Sequence, residues 1–200
     1  MSSQRARRPG IERRAELVEA ALRIIETRGI AALTTRALAD EVGLTTGAMF
    51  RHFESLDALL DAVVSRVEAV LDATYPPKTL HPRERLVRFV ELRAAAVGRQ
   101  RGILRLILSE QFALALPASS AARLRRSVER TVGFVRDAVT EGQKTGAFRA
   151  DVDGRALVAL VLGVIQTLAL GRAGPLTGLG LDAGPLLEGM QVMLDPPKRR

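Results

Sequence analysis

The stretch Thr45–Phe53, TTGAMFRHF, sets small and hydroxylated side chains ahead of an aromatic and basic cluster. A Thr hydroxyl can donate or accept a hydrogen bond, and Thr or Ala methyl groups fit against thymine methyls in a DNA major groove. Gly47 and Ala48 add little bulk, so a helix carrying them can bring its backbone close to base edges. Glycine costs about 1 kcal/mol of helix propensity relative to Ala, so Gly47 in a short helix implies a packing or contact reason. Thr35, Arg36, Arg51 and His52 add groups suited to phosphate oxygens, which orient a protein on a duplex without reading its sequence. The chemistry is that of a helix presented to a nucleic-acid groove.

Such a helix must be held by others. Thr34 or Thr35 is the expected N-cap of a short helix whose inner face is Leu38, Ala39 and Val42. Gly43 ends it in a left-handed turn, Leu44 plugs inward, and Thr45 caps a second short helix from Thr46 to about His52. Met49, Phe50 and Phe53 have the i, i+1, i+4 spacing that points inward. Ahead of the pair, Ile11–Arg28 carries Leu17, Ala20, Ala21, Ile24 and Ile25 in one apolar stripe, with Gly29 as its stop. Behind it, Ser55 caps a long fourth helix with Leu56, Leu59, Leu60, Val63, Val64, Val67 and Leu71 along one side.

TYPPKTLHP then breaks the chain. Helices are expected from Pro82 to Gly98, from Gly102 to Leu116 and from Ala118 to Gly142. The last of these has a narrow seam of Leu124, Val128, Thr131, Val135, Ala138 and Gly142. GQKTGAF is a turn, and Asp153 starts a helix through about Leu170 that is apolar on nearly every face. A Gly/Pro-rich loop precedes a final amphipathic helix with Leu186, Leu187, Met190, Met193 and Leu194. No strand pattern and no repeat occurs. The expectation is an all-α chain of about nine helices, with an N-terminal helix-turn-helix unit over residues 1–54 and a helical bundle over 55–200.

Composition narrows the function. The 200 residues are 47% hydrophobic and 26% charged, which are globular values, and the net charge of +8 suits a polyanionic partner. The absence of cysteine rules out disulfides, thiolate metal sites and cysteine nucleophiles. His52 and His81 are too few and too far apart for a spacing-defined metal site. GQKTG lacks the glycine that precedes the lysine of a phosphate-cradling loop, and GLGLDAG lacks the third glycine of a dinucleotide fingerprint. Glu68, Glu110, Ser55 and Ser109 have no catalytic partner at local spacing. No enzyme, cofactor or metal is expected. The N-terminus is basic without an apolar stretch, and Ala156–Leu170 is shorter than the roughly 20 residues that span a bilayer, so a cytoplasmic protein is expected. The arm Met1–Gly10 carries Arg5, Arg7 and Arg8; it is either a solvated tail or an arm that follows a phosphate backbone or enters a minor groove.

From Ile11 to about Leu60, through TTRALADEVGLTTGAMFRHFESLDALL, the chain resembles the DNA-binding region of the TetR family of transcriptional regulators. Farther on, EGQKTGAFRADVDGRALVALVLG is more loosely similar to a joining stretch of that family. The resemblance implies a homodimer with its third helix in the major groove, a pocket for a small-molecule effector among helices four to seven, and a dimer interface on the last two helices. An all-round apolar helix in a domain of this size independently calls for a cover, which a second subunit supplies. The expected interface is Leu157, Leu160, Val161, Val164, Leu168, Leu187, Met190 and Leu194. Phe50 stands where the family commonly has Tyr, and Leu56 where it commonly has Lys after the capping Ser. Those departures remove a phenolic hydrogen bond and a phosphate-directed charge.

Pocket candidates are Phe89, Arg93, Leu104, Ile107, Gln111, Phe134 and Gln166. Arg93 either reaches an acidic group in the pocket or snorkels to water or a carboxylate. Gln111 and Gln166 either orient a ligand or satisfy a buried backbone or cross-dimer partner. The expected function is a ligand-responsive repressor that binds a palindromic operator as a dimer, with helix four linking pocket to DNA. The competing reading is a nucleoid-associated or architectural DNA binder on the same fold. A membrane-surface helical protein ranks third.

Overall fold

The structure is a computed structural model that describes residues 10–170 and 183–197. Among them are ten α-helices and one 3-10 turn, with no strand. Helix α1 (Gly10–Arg28) leads through the 3-10 turn Ile30–Ala32 to α2 (Thr35–Val42), α3 (Thr46–Phe50) and α4 (Leu56–Asp72). Then come α5 (Pro82–Gly98), α6 (Arg101–Leu108), α7 (Glu110–Ala115), α8 (Ala118–Lys144), α9 (Gly154–Leu170) and α10 (Ala183–Leu194). The arginines of the arm and the Gly/Pro-rich loop lie outside the described residues.

The caps form where side chains can satisfy free N–H groups at helix starts. Thr34, Thr45 and Ser55 accept hydrogen bonds from the main-chain N–H of Ala37, Ala48 and Ala58 at 3.1, 3.2 and 3.1 Å. Gly43 has φ 64° and ψ 41°, the left-handed turn that lets α2 stop and α3 start in a new direction. Pro82 opens α5, where its missing N–H costs nothing.

Two apolar clusters make the core. The first joins α1–α4 to Ile103, Leu104 and Leu106 of α6, with Val97, Leu116, Leu124 and Ala169 completing it. The second packs Leu86, Phe89 and Val90 of α5 with residues of α8, α9 and α10, such as Val135, Val161 and Met190. Packing is therefore continuous across residue 54, because α4 belongs to the same cluster as α1–α3. The first helix is also buried over a wider face than its five-residue stripe: Val18 and Leu22 are covered as well. The reason is α6, which packs along α1.

The helix expected over Gly102–Leu116 is two helices. Ser109 adopts φ −98° and ψ 112°, ending α6, and α7 starts afresh. Serine is a weak helix former whose hydroxyl competes with the backbone ladder. The break raises the number of helices above nine and changes the direction in which α7 displays its side chains.

The C-terminal end is tied down by polar contacts. Gln143 donates to the carbonyls of Arg149 and Val152, both at 2.9 Å, fixing the turn between α8 and α9. The Arg149 N–H donates to the Leu194 carbonyl at 2.8 Å, and Arg83 pairs with Asp195 at 2.6 Å, docking the end of α10. Phe148 fills the place beside Gly142 where any side chain would collide with its ring. No described helix is long and apolar enough to cross a membrane.

Candidate nucleic-acid interface and buried cavity

Helix α3 is held by its inner edge. Met49 and Phe53, one helical turn apart, are 1% and 2% exposed. The opposite edge carries Thr46, Gly47 and Phe50, all exposed. Phe50 thus faces outward at 44% exposure, contrary to the inward position its spacing suggested. This five-residue helix buries Met49, and Phe53, just beyond its end, is buried one turn farther on, which leaves Phe50 on the outer side. Thr45, Arg36 and Arg51 are also exposed, while Thr35, Ala48 and His52 are half-buried. A Cβ added to Gly47 would meet nothing within 4 Å, so no packing inside the protein requires glycine there. Leu56 is half-buried against the first cluster, where a lysine would have to turn away.

Arg14, on α1, was not among the sequence candidates. Its guanidinium lies 4.1 Å from the centre of the Phe53 ring and donates to the His52 carbonyl. It clasps the end of α3 from α1. An arginine on an amphipathic helix reads as a solvated charge, so only the tertiary neighbour discloses this contact. Glu41 of α2 similarly pairs with Arg28 at 3.1 Å and Arg23 at 3.5 Å on α1.

A cavity of about 180 Å³ lies among α4, α5, α6, α8 and α9. Arg93, Leu104, Ile107 and Gln166 of the candidate pocket residues line it, together with Leu71, Val97, Thr131 and Ile165. Gln166 is itself exposed and sits at the rim. Phe89 is fully buried beside this space, and Phe134 lines a separate cleft of about 550 Å³ with Tyr75 and Arg85. Gln111 is exposed on α7 and does not reach the cavity, because the break at Ser109 takes it off the face of Leu104 and Ile107.

Arg93 is 2% exposed, and none of its three guanidinium nitrogens has a hydrogen-bond partner among the described residues. It lies against aromatic rings: the guanidinium carbon is 5.0 Å from the Tyr75 ring centre and 4.9 Å from that of Phe89. Those rings stack at 5.5 Å and are joined by Phe134. Desolvation holds the Arg93 pKa below its ordinary value, and the nearby Tyr75 and Asp72 oppose that shift. The Tyr75 hydroxyl is engaged with Thr131 at 3.2 Å. Tyr75 is the chain's one tyrosine and lies in the proline-rich break, which reads as a loop; nothing local signals its role.

The outer side of α9 and α10 is apolar. Leu160, Met193 and Val192 are 48%, 50% and 63% exposed, with Val164, Leu168 and Leu187 half-buried near them. Leu157, Val161, Met190 and Leu194 are buried within the protomer, where they join the two helices to the core.

Two family models match the chain: residues 17–63 fit bacterial regulatory proteins of the tetR family, and residues 79–170 fit a tetracyclin repressor-like C-terminal domain. The chain belongs to the TetR family. Among proteins similar to this TetR-family chain is the HTH-type transcriptional repressor KstR2 of Mycobacterium tuberculosis strain H37Rv, 29% identical over 145 residues, covering 70% of this chain and 72% of the relative. The structure of the ketosteroid transcriptional regulator KstR2 of Mycobacterium tuberculosis superposes with a TM-score of 0.77 at 23% identity, over 92% of this chain and 95% of that one. AibR in complex with isovaleryl coenzyme A and operator DNA superposes with a TM-score of 0.73 at 21% identity, over 92% and 99%. The nucleoid occlusion factor SlmA of Shewanella frigidimarina is 32% identical over 75 residues, 34% of this TetR-family chain and 38% of SlmA.

Proposed function

We propose that the chain is a ligand-responsive transcriptional repressor that binds a palindromic operator as a dimer. The observation that carries this reading is the exposed edge of α3. Thr46, Gly47 and Phe50 face outward from a helix locked by Met49 and Phe53, and Gly47 has open space where a side chain would fit. A helix with a bare outer edge can enter a major groove deeply. Thr35, Arg36, Thr45, Ala48, Arg51 and His52 surround it, and Arg5, Arg7 and Arg8 of the arm would follow the phosphate backbone.

In this reading residues 1–54 bind DNA, and 55–200 bind effector and partner subunit in a cytoplasmic, non-enzymatic protein. Leu160, Val164 and Met193 form the outward half of the dimer face, and the cavity beside Arg93 holds the effector. The mechanical link has two arms. Helix α4 runs from beneath α3 to the cavity wall at Leu71, and α6 runs from the cavity wall at Leu104 to α1. A ligand that favours one arrangement of these helices shifts the spacing of the two α3 helices and thereby operator affinity.

The partial match to SlmA favours a second reading, a nucleoid-associated binder. Nuclease footprinting on genomic fragments separates the two: protection of one short palindrome, released by a small molecule, supports the repressor, whereas broad or many-site protection insensitive to ligands overturns it. Removing residues 1–9 tests the arm, since loss of its phosphate contacts lowers the salt dependence of binding.

A further inference from the structure

Two arginines of α5 are almost fully buried, and they are treated oppositely. Arg85, 5% exposed, donates to the Lys78 carbonyl at 2.7 Å and pairs with the Glu141 carboxylate. Arg93, 2% exposed, has no hydrogen-bond partner at any nitrogen among the described residues. Burying a cation costs several kcal/mol unless it is paired and hydrogen-bonded, and Asp72 acts on Arg93 without forming an ion pair or hydrogen bond with it. The stacked rings of Tyr75 and Phe89 offset part of that cost through their negative faces, but they leave the five N–H donors unused. The guanidinium is therefore held ready on an aromatic platform, at the wall of a cavity whose other sides are chiefly aliphatic.

The geometry points to a small organic carboxylate as the effector: its carboxylate on Arg93, and its short aliphatic or single-ring body against Val97, Leu104, Ile107 and Ile165. This rests on the cavity being the effector site. A guanidinium fork matches the two oxygens of a carboxylate, and a charge-assisted pair in a low-dielectric site is among the stronger polar contacts available. Size sets the body. A cavity of about 180 Å³ is smaller than the roughly 300 Å³ at the low end for drug-sized ligands, which favours a short chain or single ring over a steroid nucleus. Thr131, half-buried at the same wall, is already committed, donating to the Ser127 carbonyl at 3.1 Å and meeting the Tyr75 hydroxyl at 3.2 Å, so Arg93 is the cavity's free donor among these groups.

The test uses the full-length protein with calorimetric titration and, in parallel, operator binding by fluorescence anisotropy. The probes are hexanoate, cyclohexanecarboxylate and benzoate, their primary amides, their coenzyme A thioesters, and cholate. The expected result is that at least one free acid binds and its amide binds roughly ten- to a hundredfold more weakly. Arg93→Met removes that preference, yet its ligand-free form melts at or above the parent temperature, because an unpaired buried charge has been removed. Equal affinity for acid and amide overturns the inference, as does undiminished acid binding by Arg93→Met. Both comparisons are made in calorimetry, and the first needs no variant. Binding of a thioester with no binding of any free acid overturns the carboxylate assignment, binding of cholate alone among the acids overturns the small-body assignment, and either leaves the effector reading intact. Acid binding that leaves operator affinity unchanged upholds the carboxylate site and sinks the effector reading. Failure of every probe to bind overturns the inference.

Discussion

Gly102 of α6 lies so close to Leu22 of α1 that a Cβ on the glycine would overlap the Leu22 carbonyl oxygen and stand 3.1 Å from its carbonyl carbon. The obstruction is main chain, so it cannot be relieved by a side-chain rotation. Two positions farther along α6, Leu104 lines the cavity. The same short helix therefore touches α1 at one end and the cavity at the other.

Gly102→Ala should push α6 from α1 and lower stability by about 1–3 kcal/mol, as overpacking a closed contact does. Urea unfolding monitored by circular dichroism measures it. The variant should also show a changed ratio of operator affinities with and without effector. An unfolding midpoint within error of the parent protein contradicts the close packing.

Gly47→Ala should separate folding from binding in the other direction. The site has room for a methyl group, and alanine is the better helix former by roughly 0.5–1 kcal/mol. The variant should melt no lower than the parent and bind operator about tenfold or more weakly, since the added methyl stands between helix and base edges. Undiminished affinity in an anisotropy titration would remove Gly47 from the interface.

Arg14→Ala should loosen α3 through loss of its contacts with the Phe53 ring and the His52 carbonyl. A cation over an aromatic ring at an exposed site contributes about 0.5–1 kcal/mol. The expected pattern is a modest fall in melting temperature and weaker operator binding with an unchanged salt slope. A slope reduced by about one unit would instead make Arg14 a phosphate contact.

Leu160→Glu and Met193→Glu should convert the dimer to monomer, because each places a charge on the exposed apolar side of α9 or α10. Size-exclusion chromatography with light scattering reads the outcome directly. Operator affinity should fall with dimerisation, while ligand-free helicity stays at the parent level. A dimer that survives both substitutions locates the interface elsewhere.

Arg123 connects α8 to α4 through Asp61 at 2.9 Å and through Glu68, and Ser120 adds a hydrogen bond to Asp61 at 2.7 Å. Its pKa is raised, first by the hydrogen bond to Glu68. Arg123→Met paired with Glu68→Gln in a double-mutant cycle should give a coupling of about 0.5–1 kcal/mol, the range of a partly exposed ion pair. Zero coupling would leave this contact without a part in joining α4 to α8.

Local chemistry determined much of this protein. Hydroxyl caps, a left-handed glycine and the 3.6-residue apolar period act within a few residues, so α1–α4 and the small exposed residues near Thr46 were legible in the chain. The all-α class followed from the same periods. Other features depended on neighbours remote in sequence. Phe50 turned outward because the buried side of α3 is taken by Met49 and, just past its end, Phe53. Val18 and Leu22 were buried because α6 crosses α1, and Gln111 left the cavity because Ser109 breaks the helix. Arg14 and Arg93 look alike as arginines on amphipathic helices. One lies on a ring beside α3; the other is buried without a partner at a cavity wall. The physical reason is that the fate of a long charged side chain is set by what packs against it, and those partners come from elements that adjoin only after folding.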